Sequence, residues 1–256
     1  MNEQLRRHEE TADLLIELGC EELPPKALDD IREAFFNAVQ KGLESSHLDF
    51  TRDGSRSYSS PRRLAIMFRD VASRQPDQEQ ERRGPALGAA FDADGKPTGA
   101  ALGFARSINK EVSELETLKT DQGQWLHARI QEPGKSLGEL IYPILEQAIK
   151  ALPVPRPMRW ADHDFSFVRP VHWIVVMHGD HVIEGRLLGQ PAANLTRGHR
   201  VHSPGPHCLP HSTSYESVLM DAYVVADQDR RKSLIRESLM RSDPQVHIDP
   251  DLLNEV

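Results

Sequence analysis

Hydrophobic spacing predicts the elements of the first half of the chain. Leu14, Ile16 and Leu18 alternate with their neighbours and indicate a half-buried strand, and residues 64–68 repeat this pattern. Between these strands, apolar residues recur every three or four positions and predict one amphipathic helix: Leu28, Ile31, Phe35, Val39 and Leu43. The elements predicted next are a helix at 100–108, a strand at 124–130 and a helix that begins with the capping-box pair Ser136 and Glu139. Pro143 lies inside the last helix and predicts a kink or a later start.

The hydrophobic period changes in the second half of the chain. The run at 171–177 is apolar apart from His172 and predicts a strand that is buried on both faces, because a half-exposed strand would alternate. Gly179-Asp180 is typical of a hairpin turn, so residues 182–188 are predicted to return as the partner strand. The last elements predicted are a helix at 215–222, a strand at 223–226 and a helix capped by Asp227.

These elements predict an α+β fold with mixed sheets, flanking helices and two subdomains. Residues 1–11 are polar and are expected to form a disordered tail. The first subdomain is predicted at 12–152 and includes a long surface loop at 73–99, which is poor in large apolar residues. A proline-rich connector opens the second subdomain, 153–256, which contains the 171–188 hairpin. Its C-terminal end carries no stop signal and is expected to be cut from a longer polypeptide.

Composition bounds the class of protein. The 256 residues are 38% hydrophobic and 27% charged, which supplies a core and argues against wholesale disorder. No stretch approaches the roughly 20 apolar residues that cross a bilayer, and residues 1–10 lack the apolar region of a secretory signal. Cys20 and Cys208 are too few for a disulfide framework or a thiolate zinc site. We therefore expect a cytoplasmic protein without a membrane partner.

One basic island interrupts an acidic chain. The formal net charge of the chain is −8, yet residues 156–202 carry six arginines and no lysine against four acidic residues. The same segment holds two of the three tryptophans and six of the twelve histidines. A local patch of this kind points to an anionic partner, because phosphate contacts depend on local rather than total charge.

The run Thr196-Arg197-Gly198-His199-Arg200 carries the most specific chemistry of the island. Arginine contacts phosphate in a planar bidentate geometry, histidine adds a donor, and glycine permits close backbone approach. The candidate nucleic-acid contacts predicted on this ground are Arg159, Arg169, Arg197, His199 and Arg200, together with Arg62 and Arg63 from the first half. The alternative is structural: Arg197 and Arg200 would pair with nearby acids, Arg63 would lie along its strand, and Trp173 would belong to the core.

Catalytic and metal sites are not predicted. The clustered histidines lack the third and fourth ligands that a metal needs, and His163-Asp164 stands without a helical context. A triad of Ser203, His199 and Asp180 can be imagined, but no nucleophile elbow is present. The chain also lacks the glycine-rich phosphate loops of nucleotide-binding folds, so ATP chemistry by this chain alone is not expected.

Three glutamates, Glu17, Glu21 and Glu22, stand near the end of the first predicted strand. General acid and base residues often occupy such positions. The interpretation we favour is that they cap the helix that follows and complement its dipole.

Motifs in a fixed order along the chain carry a family resemblance. They are the runs at 18–28, 61–65, 83–85, 90–98, 103–106, 159–160, 167–173, 196–200, 202–204, 224–227 and 248–249. In order and spacing they resemble the β subunit of bacterial glycyl-tRNA synthetase, with Cys20 where threonine is expected. Each motif is weak alone, whereas the shared order over nearly the whole chain is specific.

The resemblance implies an α2β2 aminoacyl-tRNA synthetase. In that family the α subunit carries the catalytic core and uses ATP and Mg²⁺ to activate glycine, and the β subunit is required to charge tRNA(Gly). The chain is therefore expected to be the N-terminal module of the β subunit, with the α subunit, tRNA(Gly) and a second β subunit as partners and with no cofactor of its own. Two alternatives remain open: a structural interaction module that does not touch RNA, and a histidine-dependent hydrolase or editing domain.

Overall fold

The computed structural model describes residues 11–92, 94–120, 123–154, 156–160 and 165–254. The strands are β1 (Thr11–Cys20), β2 (Thr51–Ser60), β3 (Arg63–Ala72), β4 (Gln78–Ala86), β5 (Glu116–Thr120), β6 (Gly123–Glu132), β7 (Met158–Arg159), β8 (Ser166–Phe167), β9 (Val171–His178), β10 (His181–Val182), β11 (Arg186–Leu187), β12 (Gln190–Ala193), β13 (Leu195–Arg197) and β14 (Pro206–Cys208). The α-helices are α1 (Leu28–Ser45), α2 (Leu87–Ala90), α3 (Gly99–Ser107), α4 (Leu137–Lys150), α5 (Tyr215–Asp221), α6 (Gln228–Ser242) and α7 (Pro250–Asn254). Single 3₁₀ turns lie at Pro25–Ala27, Val112–Glu114 and Ser212–Ser214. The α+β class predicted from the hydrophobic pattern is confirmed.

The chain divides into two compact units, and the division differs from the predicted one at 152/153. Residues 76–134 form one unit, and the segments on either side of them together form the other. The reason is strand pairing: β9 lies beside β1 along most of its length, so the part of the chain after residue 153 completes the sheet that the N-terminal strand begins. Of the connector prolines, Pro155 lies outside the described residues.

The larger unit is built on one mixed sheet with the strand order β11-β12-β9-β1-β3-β2, and β10 pairs with β9. Neighbouring strands are antiparallel, except that β12 runs parallel to β9. β1 and β9 are the two central strands, and β9 is the apolar run predicted to be buried on both faces. β1 was predicted to be half-buried, and this was wrong because a second core covers its other face. Both faces of β1 are buried, since alternate residues belong to different cores.

Helices α1 and α4 cover one face of this sheet. Leu14, Ile16 and Leu18 of β1 pack there against the apolar stripe of α1, whose buried residues are those predicted from the spacing: Ile31, Phe35, Val39 and Leu43. Helix α4 adds Ile141 and Leu145. It begins at Leu137 and continues through Pro143, so the later start that the proline allowed is not observed.

The opposite face of the sheet is covered by the segment that follows β12. Its core includes Leu15 of β1, Trp173 and Val175 of β9, and Tyr215 and Leu219 of α5. The same face carries a glutamate, Glu17, because residues two apart on a strand point the same way. This face holds the candidate functional site.

The smaller unit corrects the predicted loop at 73–99. Strand β4 lies within it and pairs with β6, which in turn pairs with β5. Every residue of β4 is exposed or half-buried, so the strand carries no apolar alternation that a pattern could detect. Cross-strand ion pairs replace that pattern: Arg82 Nη2 lies 3.1 Å from Glu132 Oε1 on β6. Ala90, Ala101 and Leu126 form the small core of this unit.

Three further predictions change in detail. The returning strand of the 171–188 hairpin is short, since β10 pairs with β9 over two residues only and the chain then leaves to form β11. Residues 223–226 do not form a strand. The tail was predicted to include Thr11, but Thr11 is the first residue of β1. Residues 1–10 lie outside the described part.

No helix in the described part of the chain is both long enough and apolar enough to cross a membrane.

The capping box at the start of α4 gives a direct test of local sequence reasoning. Ser136 Oγ accepts a hydrogen bond from the Glu139 backbone at 3.3 Å, and Glu139 Oε2 accepts one from the Ser136 backbone at 2.8 Å. We expect Ser136→Ala to lower the free energy of unfolding by about 1 kcal/mol in urea denaturation. Ser242→Ala, at the exposed end of α6, is the control and should change it by less than about 0.5 kcal/mol. Equal effects of the two substitutions would contradict this assignment.

The same box predicts a pH dependence. Hydrogen bonds from Ser136 hold the pKa of Glu139 below its ordinary value. A carboxyl whose pKa is lower in the folded state stabilises the fold at pH values above its unfolded pKa, and this contribution is lost as the pH falls through the folded value. The difference in the free energy of unfolding between the native chain and Ser136→Ala should therefore become smaller as the pH falls below the unfolded pKa of Glu139.

Candidate functional site

A cleft of 580 Å³ opens on the sheet face that carries Glu17, and arginines dominate its lining. We call it the arginine cleft, defined by Arg62, Arg63, Arg197, Arg200 and Arg231. Glu22 is the acidic residue of its lining, and His199 lines it as well. Five of the seven predicted nucleic-acid contacts thus come together at one place, although they belong to segments more than a hundred residues apart in the chain.

Strand register builds the floor of the arginine cleft. Gly19 of β1 pairs with Arg63 of β3 on one side and with Trp173 of β9 on the other. A Cβ at position 19 would lie 1.8 Å from the Trp173 ring, so the indole rests directly on the glycine backbone. The guanidinium of Arg63 lies 5.9 Å from the centre of that ring, and the guanidinium of Arg197 lies 5.4 Å from it. Trp173 therefore holds two arginines by cation–π contact.

A buried ion pair lies beneath this floor. Arg63 Nη1 donates to Glu17 Oε1 at 3.0 Å, and the two side chains are 3% and 0% exposed. Thr196 Oγ1 and the Tyr215 hydroxyl donate to the same oxygen, at 3.0 and 3.1 Å. Burial, and then the charge of Glu17, raise the pKa of Tyr215 well above its ordinary value, so the phenol stays protonated as a donor. Glu17 Oε1 thus accepts hydrogen bonds from three separate segments, whereas Glu17 Oε2 has no hydrogen-bond partner among the described residues.

Arg63 also reaches residues 196–200, which we call the basic loop. Its Nη2 donates to the Arg197 carbonyl oxygen, and its Nε donates to Ser60 Oγ at 3.1 Å. Because each of its three nitrogens donates a hydrogen bond and its side chain is buried, Arg63 positions the cleft and is not available to a partner. Arg63 is therefore no longer a candidate nucleic-acid contact. The structural alternative, in which its side chain lies along the strand, also underestimates its burial.

The other arginines of the motif remain accessible. Arg197 is exposed, and no carboxylate of the described residues lies within ion-pairing distance of it. Arg200 is 72% exposed and lies 3.8 Å from Glu22, which is a weak surface pair. Both side chains are therefore able to turn toward an anion in the cleft.

Arg62 stands at the edge of the cleft in a small polar cluster. Its Nη2 lies 3.4 Å from Glu21 Oε1, and His172 Nε2 donates to the same oxygen at 2.8 Å. The hydrogen bond from His172, helped by the Arg62 charge, lowers the pKa of Glu21. Because the Glu21 carboxylate partly offsets its charge, Arg62 contributes less to the positive field of the cleft than Arg197 does.

Arg231 is the cleft residue that sequence reasoning missed. It lies on α6 in the run Asp229-Arg230-Arg231-Lys232, which has the composition of a solvated helix surface. In the structure its Nη1 donates to the carbonyl oxygens of Ser59 at 3.1 Å and Val225 at 2.7 Å. Burial lowers the pKa of its guanidinium. No spacing signal marks it, because only the packing of α6 brings it to the cleft.

Two predicted contacts lie outside the lining of the cleft. Arg169 Nε donates to the Glu22 carbonyl oxygen at 2.8 Å and so braces the segment between β1 and α1. Arg159 is exposed on the two-residue strand β7, which pairs with β8. The structure therefore does not bring Arg159 or Arg169 together with the other five.

The glutamates near the end of β1 do not cap α1. Its N-cap residue is Ala27, and no side chain accepts a hydrogen bond there. Glu17, Glu21 and Glu22 face arginines instead, at 3.0, 3.4 and 3.8 Å. The interpretation as helix caps was wrong. The register of the sheet directs these glutamates toward β3 and the basic loop and not toward the start of α1.

The imagined catalytic triad is not assembled. Ser203 Oγ lies 3.1 Å from His207 Nε2, whereas His199 Nδ1 accepts the backbone N–H groups of Val201 and His202. Asp180 pairs with its neighbour His181, which lowers the pKa of the Asp180 carboxyl. Within the described ranges, no three His, Cys, Asp or Glu side chains converge as metal ligands. His163 and Asp164 lie outside those ranges.

Comparison with known proteins gives the family. The family model described as glycyl-tRNA synthetase beta subunit matches residues 14–256. The chain belongs to this family. A glycine–tRNA ligase beta subunit from Chromohalobacter salexigens is 44% identical over 247 residues, which are 95% of this chain and 36% of the relative. One from Marinobacter nauticus is 43% identical over 252 residues, 96% of this chain and 36% of the relative.

The family match confirms the resemblance drawn from the ordered motifs. It extends over both compact units, and the chain spans 36% of the length of these glycyl-tRNA synthetase beta subunit relatives. Cys20, the departure from the expected motif, is buried in the core that α1 and α4 cover, and burial raises the pKa of its thiol to about 12. A thiol so far from ionisation behaves as a small apolar side chain.

Proposed function

We propose that this chain is the tRNA-binding and assembly module of a glycine–tRNA ligase β subunit, and that the arginine cleft is where it contacts tRNA(Gly). The observation that carries the proposal is the convergence of Arg62, Arg197, Arg200 and Arg231 around a single opening with one acidic lining residue. In this proposal the α subunit binds ATP and Mg²⁺ and activates glycine. The β module binds and orients the tRNA that accepts the activated glycine.

The charge distribution supports RNA as the partner. Arg63 is neutralised by Glu17 at 3.0 Å, so the positive field at the opening comes from Arg197 and Arg200, with smaller contributions from Arg62 and Arg231. Exposed arginines close together form bidentate hydrogen bonds to phosphate. This local field attracts a polyanion to a chain whose net charge is −8.

Helix α6 supports the assembly part of the proposal. None of its residues is buried, although Leu234, Leu239 and Met240 are apolar and exposed. Leu234 and Leu239 line a shallow groove together with Val225 and Ile235. An exposed apolar patch of this kind commonly marks a contact with another polypeptide. We propose the α subunit and a second β subunit as the partners of the complete enzyme, in the cytoplasm.

The test is tRNA binding by the 256-residue chain, with and without the α subunit, over a range of salt concentrations. Each phosphate contact adds to the steepness with which affinity falls as salt rises. We expect Arg197→Ala/Arg200→Ala to weaken binding by at least about tenfold and to reduce the salt slope by about two. Fluorescence anisotropy with labelled tRNA(Gly) measures both quantities.

Arg52→Ala/Arg186→Ala is the matched control, because it removes the same charge from exposed arginines that do not line the cleft. It should change affinity by less than about threefold, as expected for long-range effects screened by salt. Equal losses in the two double variants would show that binding is not localised at the cleft. If the chain binds no RNA but associates with the α subunit, the structural alternative holds. If it hydrolyses charged tRNA, the editing alternative holds.

A further inference from the structure

Three aromatic rings stand in a row at the rim of the arginine cleft. The ring centres of His199 and His202 are 4.6 Å apart, and those of His202 and Tyr223 are 5.7 Å apart. His199 and Tyr223 both line the cleft. Tyr223 is 67% exposed, so its side chain is mostly in contact with solvent. We call these three residues the aromatic rim.

Tyr223 combines an exposed ring with a left-handed backbone conformation. Tyr223 follows the end of α5 with a φ of 59°, the left-handed conformation in which helices commonly end. Glycine, or else asparagine, is the usual residue there, because a Cβ in this region is strained by about 1–2 kcal/mol. A tyrosine at such a position is stabilising for the fold only if its ring is buried.

Comparison with the other left-handed residues supports this point. The non-glycine residues with positive φ in the described part are His47, Asp70, Asn109, Leu188 and Tyr223. The first three are polar types that adopt this conformation more readily. Leu188 is buried in the core, which compensates its strain. Tyr223 alone of these combines a large ring, a strained backbone and high exposure.

The aromatic rim is held in place by the basic loop itself. The backbone N–H of His199 donates to the Ala222 carbonyl oxygen at 2.8 Å, next to Tyr223. A Cβ at Gly198 would lie 2.7 Å from Ala222 Cβ, so the glycine lets the loop pack against the end of α5. His199 Nδ1 accepts two backbone N–H groups, which leaves the proton of the neutral ring on Nε2. The basic loop and the aromatic rim therefore form one continuous, hydrogen-bonded surface.

We propose that the aromatic rim stacks the base of an unpaired nucleotide while Arg197 and Arg200 hold its phosphates. This inference rests on the proposed function and deepens it, since it names the part of the RNA that enters the cleft. Successive bases stack on exposed aromatic side chains regardless of sequence, and a neighbouring positive groove follows the backbone. A base inside a duplex has no free face, so paired RNA would not use Tyr223.

The dimensions of the cleft agree with this ligand. Its 580 Å³ lies within the roughly 300–1,000 Å³ of typical small-ligand sites. Its lining combines the arginines with the aromatic side chains of His199 and Tyr223. A nucleotide presents the matching pair of features, an anionic phosphate and a flat base.

The experiment compares two RNA hairpins that differ only in a four-nucleotide single-stranded 3′ extension. Binding to the 256-residue chain is followed by fluorescence anisotropy at constant salt, with native protein, Tyr223→Asn and Tyr223→Phe. We expect the extension to tighten binding of the native chain by about 5- to 100-fold. Tyr223→Asn should abolish this gain, and Tyr223→Phe should keep it because the ring remains.

The choice of asparagine protects the test from a folding artefact. Asparagine tolerates the left-handed conformation better than tyrosine, so Tyr223→Asn should unfold at the same temperature as the native chain or higher. If the native chain gains nothing from the extension, or Tyr223→Asn keeps the gain, the inference is wrong. The proposed function would still stand in that case, provided that Arg197→Ala/Arg200→Ala weakens binding of both hairpins.

Two further outcomes are decisive. If neither hairpin binds in a salt-dependent way, the inference and the proposed function both fail.

Adenosine monophosphate serves as a competitor, and we expect it to displace the extended hairpin only weakly because it lacks neighbouring phosphates. If adenosine monophosphate instead binds as tightly as the extended hairpin, and Tyr223→Asn abolishes this binding, the ligand is a free nucleotide and the assignment to RNA is overturned.

Discussion

Replacing Arg63 with methionine should lower the free energy of unfolding by about 3–5 kcal/mol. The substitution leaves the fully buried carboxylate of Glu17 without its counter-charge. Thr196 and Tyr215 would still donate to Glu17 Oε1, but Glu17 Oε2 already has no hydrogen-bond partner among the described residues. A buried charge that loses its ion partner costs far more than a buried pair contributes when intact.

Urea denaturation followed by circular dichroism measures this effect. The double variant Glu17→Gln/Arg63→Met should recover a large part of the lost stability, since the isolated charge is then gone. Arg52→Met is the matched control: Arg52 is 72% exposed in its pair with Glu44, and its loss should cost less than about 1 kcal/mol. If Arg63→Met and Arg52→Met lower the free energy of unfolding equally, the buried pair of Arg63 and Glu17 is no more important for stability than an exposed pair.

The same variant links the stability of the sheet to the proposed binding site. Arg63 is the donor that holds the Arg197 carbonyl oxygen, and it shares the Trp173 ring with the Arg197 guanidinium. Its removal therefore frees the basic loop from the floor of the cleft. RNA affinity should fall in Arg63→Met although Arg63 touches no ligand, because the exposed arginines would be ordered only at the moment of binding.

Local patterns identified the elements that meet the main core. The helices α1 and α4 and the strands β1, β3 and β9 were predicted because each carries a continuous apolar stripe or run. Strand β4 was missed because none of its side chains is fully buried. The subdomain boundary was placed at the prolines after residue 152, whereas the pairing of β1 with β9 depends on contacts between residues some 160 positions apart. Composition cannot reveal a pairing of that kind.

The residues of the candidate site also fall into two groups, those that the sequence identifies and those that only the tertiary structure brings to the cleft. Arg197, His199 and Arg200 were found because they form one short motif whose chemistry is visible in the sequence. The role of Arg63 depends on register: Gly19 must stand opposite it for Glu17, two residues earlier, to lie diagonally within reach. Arg231 arrives by the packing of α6 alone. A short motif can therefore be identified from the sequence, whereas the distant residues that neutralise or position its side chains cannot.

Replacing Gly19 with alanine should destabilise the larger unit by about 1–3 kcal/mol, as overpacking of a rigid core usually does. The added Cβ would lie 1.8 Å from the Trp173 ring, and the strands on both sides fix the glycine backbone. The ring must therefore move, and with it the surface on which Arg63 and Arg197 rest. Circular dichroism in urea measures the loss, and the fluorescence of Trp173 should shift as the indole becomes exposed.

Two variants make this prediction specific to the contact between Gly19 and Trp173. Gly103→Ala introduces the same methyl group in helix α3, where no atom lies within 4 Å, and should stabilise the chain by roughly 0.5–1 kcal/mol through helix propensity. Gly19→Ala/Trp173→Leu gives the new methyl group room and should be less destabilised than the sum of its single substitutions. If the double variant is as unstable as that sum, the indole does not rest on Gly19 and the floor of the arginine cleft is built differently.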